Sequence, residues 1–218
     1  MLRIALPLSG SLSKKVKELF SLAGLKIDQN HERDYRVSIN DARISKVQVL
    51  RPQEIPRYVQ DGLYDFGFTG EDQVVENDAD VAILAEMNIS RNGSRKVRIV
   101  LATNSDNLVN SAENIPMCSR IATEYPNMVR KYFDRLGRSD ICIIYSQGAT
   151  EAKIPDITEY VVEVVDSGET LMINDLKIIG TIMESATVMI GNRESWNNPF
   201  KRKIMEEIRR QLLSAIPK

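Results

Sequence analysis

The chain is poor in the side chains that carry most covalent and metal chemistry. Among its 218 residues there is one histidine, His31, and two cysteines, Cys118 and Cys142. A single histidine with no neighbouring carboxylate or thiol cluster reads as surface or packing, and no Ser/His/Asp arrangement can be built around it. The two cysteines lack any paired metal-ligand spacing, which argues against a transition-metal enzyme. A chain this long needs no disulfide framework, so both cysteines read as buried thiols in a reducing compartment. Apolar runs such as LRIAL, ICIIY and YVV fall far short of the roughly 20 residues of a membrane span. A strand begins at Leu2, leaving no room for a secretory leader, so the expected location is cytoplasmic with no membrane partner. Neither sign of charge dominates. Lys and Arg number 29 against 30 Asp and Glu, for a net charge of -1, which argues against a nucleic-acid partner but permits a local basic patch around a phosphorylated small molecule.

What is present is an alternation of strand and helix. LRIAL, residues 2–6, leads through a polar turn into a helical pattern with Leu12, Val16, Leu19, Phe20 and Ala23 on one face and Gly24 as its stop. KVQVLR then reads as a strand, PQEIPRYVQDGL as a short helix ending at Gly62, and YDFGFTG as a strand closed by glycine. A helix from about Glu71 and the strand VAILAEM follow. The polar stretch 88–96 reads as a domain crossing. VRIVLAT, SRIATE, DICIIYS and YVVEVV are the strands of a second set, with a helix at YPNMVRKYFDRLG. ATVMI and a helix from Phe200 to Ile216 return the chain to the first set. Such alternation buries both faces of a sheet and gives an α/β fold of two small open sheets, parallel or mixed, with a ligand cleft expected between them. The expected domains are 1–90 with 180–218, discontinuous, and 91–179. Residues 26–45 mix charge with short β-like pieces and resist placement.

In open α/β sheets, ligands gather beyond the carboxyl ends of strands. Three loops fit that position. Asp166-Ser167-Gly168-Glu169-Thr170 follows YVVEVV and opens a helix, with free first-turn amides, two hydroxyls and a glycine that admits a phosphate closely. An ordinary capping loop would look the same. It lacks the glycine run and lysine of a nucleotide-binding P-loop. Thr69-Gly70-Glu71-Asp72 offers carboxylates to a ribose, an amine or hydrated Mg²⁺. Charge compensation at a helix start explains it equally. Leu8-Ser9-Gly10-Ser11 is rich in hydroxyls but uncharged. Arg51 and Arg98, at strand ends, are candidates for anion contacts. No protein nucleophile stands out, and what remains is positioning and electrostatics on polyphosphates, or binding alone.

Three segments, 47–72 (VQVLRPQEIPRYVQDGLYDFGFTGED), 120–133 (RIATEYPNMVRKYF) and 148–192 (from GATEAKIPDITEYVVEVVDSGETL to VMIGN), together with LRIALPLSG, resemble the ATP phosphoribosyltransferase family of histidine biosynthesis in the family's order. The resemblance implies a two-domain, type II periplasmic-binding-protein-like fold, each domain an open mostly parallel sheet flanked by helices, with a cleft between. It implies an enzyme that transfers the phosphoribosyl group of phosphoribosyl pyrophosphate to N1 of ATP with release of pyrophosphate and use of Mg²⁺. On that resemblance Asp166, Ser167, Gly168, Glu169 and Thr170 hold the 5-phosphate region, Glu151 lies near the ribose, and Ser9, Gly10, Ser11 and Glu71 serve ATP. Arg51 and Arg98 are the electrostatic candidates, and the metal ligands are left unassigned. The chain's length resembles the family's short form. That form is expected to be built from dimers and to work with a separate regulatory subunit similar to histidyl-tRNA synthetase.

The match departs at Leu8 and Ser11, where the family carries a lysine and an arginine. It departs also at Glu163, usually aspartate, and Ala149, usually serine. Lys14, Lys15 or Arg95 are candidates to supply the missing charge. The alternative is a divergent paralogue that binds a small molecule, or regulates, on the same bilobal scaffold.

Overall fold

The computed structural model describes residues 1–8, 12–31, 34–87, 89 and 96–216. The chain forms two compact units, Met1–Lys96 with Ala186–Lys218, and Val97–Ser185. In the first, the order is β1 (Leu2–Leu6), α1 (Ser13–Leu22), β2 (Ile27–Asp28), β3 (Arg36–Ile39), β4 (Ile44–Val49), α2 (Ile55–Gln60), β5 (Phe66–Gly70), α3 (Glu71–Glu76) and β6 (Ala82–Met87). The second unit holds β7 (Val97–Asn104), β8 (Arg120–Thr123), α4 (Pro126–Arg135), β9 (Cys142–Tyr145), β10 (Tyr160–Val165), α5 (Glu169–Ile173) and β11 (Leu176–Ser185). β12 (Thr187–Gly191), α6 (Arg193–Asn197) and α7 (Pro199–Ala215) complete the first.

The first sheet has the order β2-β3-β4-β1-β5-β12-β6 and the second β11-β7-β10-β8-β9. β4, β1 and β5 run parallel, as do β10, β8 and β9. The remaining pairs are antiparallel. Both sheets are therefore mixed rather than mostly parallel. The antiparallel strands include β7, β11 and β12, which carry the chain into and out of the second unit, and a chain that leaves and returns must reverse direction.

The apolar runs become strands covered on both faces, as two-sided burial demands. On one face of the first sheet, Val16, Leu19 and Phe20 of α1 and Met205, Ile208 and Leu212 of α7 pack with Leu2, Ile4, Leu6, Phe66 and Phe68. On the other face Ile55 and Val59 of α2 meet Ala5, Val188 and Ile190. Gly67 makes that approach possible, since a Cβ there would lie 2.7 Å from Ile55 Cγ2. In the second unit Val100, Ala102, Ala122, Val161 and Val165 form one such face with Leu171 of α5.

A polar hub fastens the returning segment to the first unit. Asp65, only 1% exposed, accepts hydrogen bonds from the Arg3 amide at 2.7 Å, Ser195 Oγ at 2.7 Å and Lys201 Nζ at 2.6 Å. Burial alone would raise its pKa. The bonds from Lys201, the Arg3 amide and Ser195 outweigh that and hold the carboxyl below its ordinary value.

The stretch 26–45 resolves into β2, β3 and the start of β4, and β11 is a strand that local pattern did not separate. Residue 180 falls inside β11, and the second crossing between units comes at Ser185–Ala186. Cys118 and Cys142 are both exposed, contrary to expectation. Cys142 lies on the edge strand β9, and Cys118 occupies a turn with φ of 58°. Among the described residues no helix is long and apolar enough to cross a membrane.

Candidate functional site

The parallel run β10-β8-β9 sends three loops to one end of the second sheet: 124–125 after β8, 146–151 after β9 and 166–168 after β10. β7 runs against β10, so its beginning lies at that same end, with Arg98 paired to Val165. Paired residues share a sheet face. Arg98 therefore lies on the face that carries Glu163 and Val165, two pairs along from Glu163, which is opposite Val100. The fold thus brings Arg98, Glu151 and the 166–170 loop to one end of one sheet, although they are far apart in sequence.

The loop after β10 has the features of an anion cradle. Gly168 adopts φ of 85°, a left-handed conformation that a side chain would strain. The Ser167 hydroxyl accepts from the Glu169 amide at 3.3 Å. Thr170 and Leu171 sit in the first turn of α5, where amides have no carbonyl within the helix to bond. Ser167, Glu169 and Thr170 are exposed. Asp166 differs from them. Both its carboxylate oxygens are buried and find no hydrogen-bond partner among the described residues. A buried carboxylate is ordinarily paired, which sets Asp166 apart from the rest of the loop.

Glu151 opens a 3-10 turn, Glu151–Lys153, and the chain reaches it through Gly148 and Ala149 at φ of 74° and 46°. The turn is held on every side. The Gly148 amide donates to Glu124 Oε1 at 2.6 Å, and Lys153 Nζ donates to the carbonyls of Gly148 and Ala149 at 3.2 Å each. Thr150, fully buried, lies 3.0 Å from Ser146 Oγ, hydroxyl to hydroxyl, and also hydrogen-bonds Glu163. Burial pushes the Glu163 carboxyl above its ordinary value. Bonds from the Val164 amide and Thr150 oppose the shift, and the charges of Glu124 and Glu151 add to it.

In the first unit, Arg51 and Glu71 come to one sheet end because β4 and β5 flank β1 in parallel. Thr69 Oγ1 donates to the Pro52 carbonyl at 2.7 Å and ties the two loops together. Arg51 is exposed, and its amide contacts Glu54 at 3.4 Å. Glu71 is half-buried, with its amide bonded to the Ala186 carbonyl. No ion pair joins Arg51, Glu71 or Arg98 to another described residue. Ser9, Gly10, Ser11 and Arg95 lie outside the described residues. Lys15 is engaged with Glu18 at 3.7 Å. His31 is exposed, in keeping with its reading as a surface residue.

The sequence did not single out Glu124, Ser146 or Thr150. The only local signal was the hydroxyls and carboxylates around two strand ends, and β-pairing is needed to bring them together. Among the described residues, no group of three His, Cys, Asp or Glu is arranged to hold a metal ion.

The ATP phosphoribosyltransferase family model matches residues 51–214, which includes Arg51, Glu71, Arg98, Glu151 and the whole 166–170 loop. An ATP phosphoribosyltransferase of Desulforudis audaxviator is 38% identical over 202 residues, spanning 93% of this chain and 68% of that protein. Among solved structures, the ATP phosphoribosyl transferase (HisG:HisZ) complex from Thermotoga maritima superposes with a TM-score of 0.83 at 25% identity, covering 99% of this chain and 98% of that one. The alkanesulfonate-binding protein SsuA from Xanthomonas axonopodis pv. citri, at 14% identity and a TM-score of 0.57 over 98% of this chain and 72% of that one, shares the fold alone. Both sheets are open and flanked by helices, as in that periplasmic-binding-protein-like group. By sequence across most of its length and by fold across nearly all of it, the chain belongs to the ATP phosphoribosyltransferase family and is an enzyme of that transferase class.

Proposed function

We propose that this enzyme joins ATP and phosphoribosyl pyrophosphate through the end of the second sheet, with the 166–170 loop holding the 5-phosphate. The observation that carries the reading is Asp166, whose buried carboxylate is unsatisfied directly beside a left-handed glycine and first-turn amides. Adenine N1 attacks C1 of the ribose as the bond to pyrophosphate breaks, so the two electrons of that bond leave with the pyrophosphate oxygen. No protein nucleophile is required. The protein's part is to fix the ribose and stabilise charge on the leaving group. Ser167 and Thr170 hydroxyls and the loop amides bind the phosphate. Glu151 and Glu163 accept from ribose hydroxyls, and Arg98 faces the developing charge.

Mg²⁺ keeps several waters and is commonly bound through one or two carboxylates plus substrate phosphates, so here it would arrive with the polyphosphate. Asp166 is the residue whose free oxygens would meet its hydration shell, and the ion would neutralise charge on the leaving pyrophosphate. Arg51 and Glu71 are the described candidates on the ATP side. A separate partner subunit is supported by the likeness to a chain of the HisG:HisZ complex; its similarity to histidyl-tRNA synthetase, and a dimer as the building block, rest on the family resemblance alone.

The test is pyrophosphate release from ATP and phosphoribosyl pyrophosphate with Mg²⁺, run with and without such a subunit. Thr170→Ala is expected to weaken phosphoribosyl pyrophosphate binding by about 1–3 kcal/mol, the worth of a hydrogen bond to a charged group, and to leave ATP binding unchanged. An unchanged dissociation constant would remove the loop from the site.

A further inference from the structure

Glu124 has no part in the chemistry outlined above, yet it stands at a costly place. It directly follows β8, where Thr123 pairs with Val162, so it is the next position in register with Glu163. Its charge, with that of Glu151, favours protonation of Glu163. Three carboxylates crowded at one sheet end repel one another.

What Glu124 does is hold a turn. Its Oε1 takes the Gly148 amide at 2.6 Å, a short charge-assisted bond. Lys153 Nζ binds the carbonyls of the next two peptides, those of Gly148 and Ala149. Between these clamps Ala149 sits at φ of 46°, a conformation an L-residue with a Cβ resists. Left alone the turn would relax toward an ordinary conformation. Thr150 and Glu151 follow immediately, so relaxation would displace the hydroxyl bonded to Glu163 and the carboxylate beside it. Backbone strain that the surroundings maintain in this way is characteristic of preorganised sites.

We infer that Glu124 is a positioning residue for phosphoribosyl pyrophosphate: with Lys153 it keeps the 147–151 turn in the strained shape that sets Thr150 and Glu151 beside the ribose. The inference rests on the assignment of the ribose to Glu151. Glu124 touches no reacting atom, and its influence runs through the Gly148 amide.

Steady-state kinetics of the enzyme, supplied with its regulatory subunit if activity requires one, separates the possibilities. Glu124→Ala is expected to raise KM for phosphoribosyl pyrophosphate about tenfold, with KM for ATP unchanged and kcat within about threefold of the parent. Glu124→Gln keeps a carbonyl for the Gly148 amide, and should restore most of the loss. In a protein that already carries Ala149→Gly, where the left-handed turn is no longer strained, Glu124→Ala should cost only about two- to threefold. Lys153→Met, a change at a half-buried position, is the second variant should Glu124→Ala not fold, and should move the same KM in the same direction. Equal increases in both KM values, or a KM for phosphoribosyl pyrophosphate that stays within twofold in Glu124→Ala and Lys153→Met while Glu151→Ala raises it, would overturn the inference. If Glu151→Ala itself leaves that KM unmoved, the ribose assignment fails instead.

Discussion

Each unit of this protein has an aspartate whose carboxylate oxygens are buried, and the two are treated oppositely. Asp65 in the first unit receives three hydrogen bonds, one from the main chain near the start, one from Ser195 and one from Lys201. Asp166 in the second is buried at both oxygens and receives none among the described residues. Nearby, Glu163 is driven toward its protonated form and Ala149 is held left-handed. The first unit spends its buried charge on closing its own chain. The second leaves charge and strain unrelieved at one end of a sheet, where a ligand can relieve them. A fully satisfied polar network helps to specify one structure, whereas an unpaired buried polar group costs stability.

Matched substitutions test this contrast most directly. Asp65→Asn should destabilise the protein by about 3 kcal/mol, because it leaves Lys201 without its counter-charge and turns an amide donor toward other donors. Urea unfolding reads the loss as a lower midpoint. Asp166→Asn should do the reverse, raising stability by about 1 kcal/mol, since a neutral amide is less costly to bury unpaired than a carboxylate. The same change should weaken phosphoribosyl pyrophosphate binding by calorimetry. Were Asp166→Asn to destabilise the fold as much as Asp65→Asn, the two aspartates would be structural alike and the contrast would collapse.

Acidity provides the smallest and most specific effect. The pKa of Asp65 is depressed in the fold, so its contribution to stability is present above the unfolded value of about 4 and is lost as pH falls through the lower folded value. Glu163 is raised, so its contribution is complete below about pH 4 and is lost as pH rises through the higher folded value. Unfolding midpoints measured across pH should therefore lose part of their acid-side decline in Asp65→Asn. In Glu163→Gln they should lose part of their decline toward neutral pH. Identical pH profiles for the two variants would sink the opposition of sign.

Much of this was readable from the sequence alone. Strand and helix alternation was legible because doubly buried strands are written as unbroken apolar runs, and YVVEVV followed by DSGET marks a strand entering a helix through a glycine turn. The final helix announced itself by Ile204, Ile208 and Leu212 on one face. Other features were hidden for physical reasons. β2 has two residues and β3 four, too few for a period to emerge. Gly180 and two register shifts interrupt β11, which breaks its alternation. The cysteines were misread because thiols are usually buried, whereas an edge strand and a left-handed turn leave both outside. Glu124 and Glu163 become neighbours only through parallel pairing of β8 with β10, a relation that no local window of sequence contains.

The paired residues Val97 and Ser185, at the two ends of the second unit, bear on how the protein is made. Entry to and exit from that unit are the two sides of one rung of an antiparallel ladder, so all of it can form as a loop while the first unit is still missing β12, α6 and α7. At a ribosomal pace of about 5–20 residues per second, that wait lasts several seconds. During it Phe66 and Phe68 lack Met205, Ile208 and Leu212 against them, and Asp65 lacks Ser195 and Lys201. The nascent chain thus passes through a half-covered sheet until α7 is made, and this is the interval in which a chaperone has the most to shield.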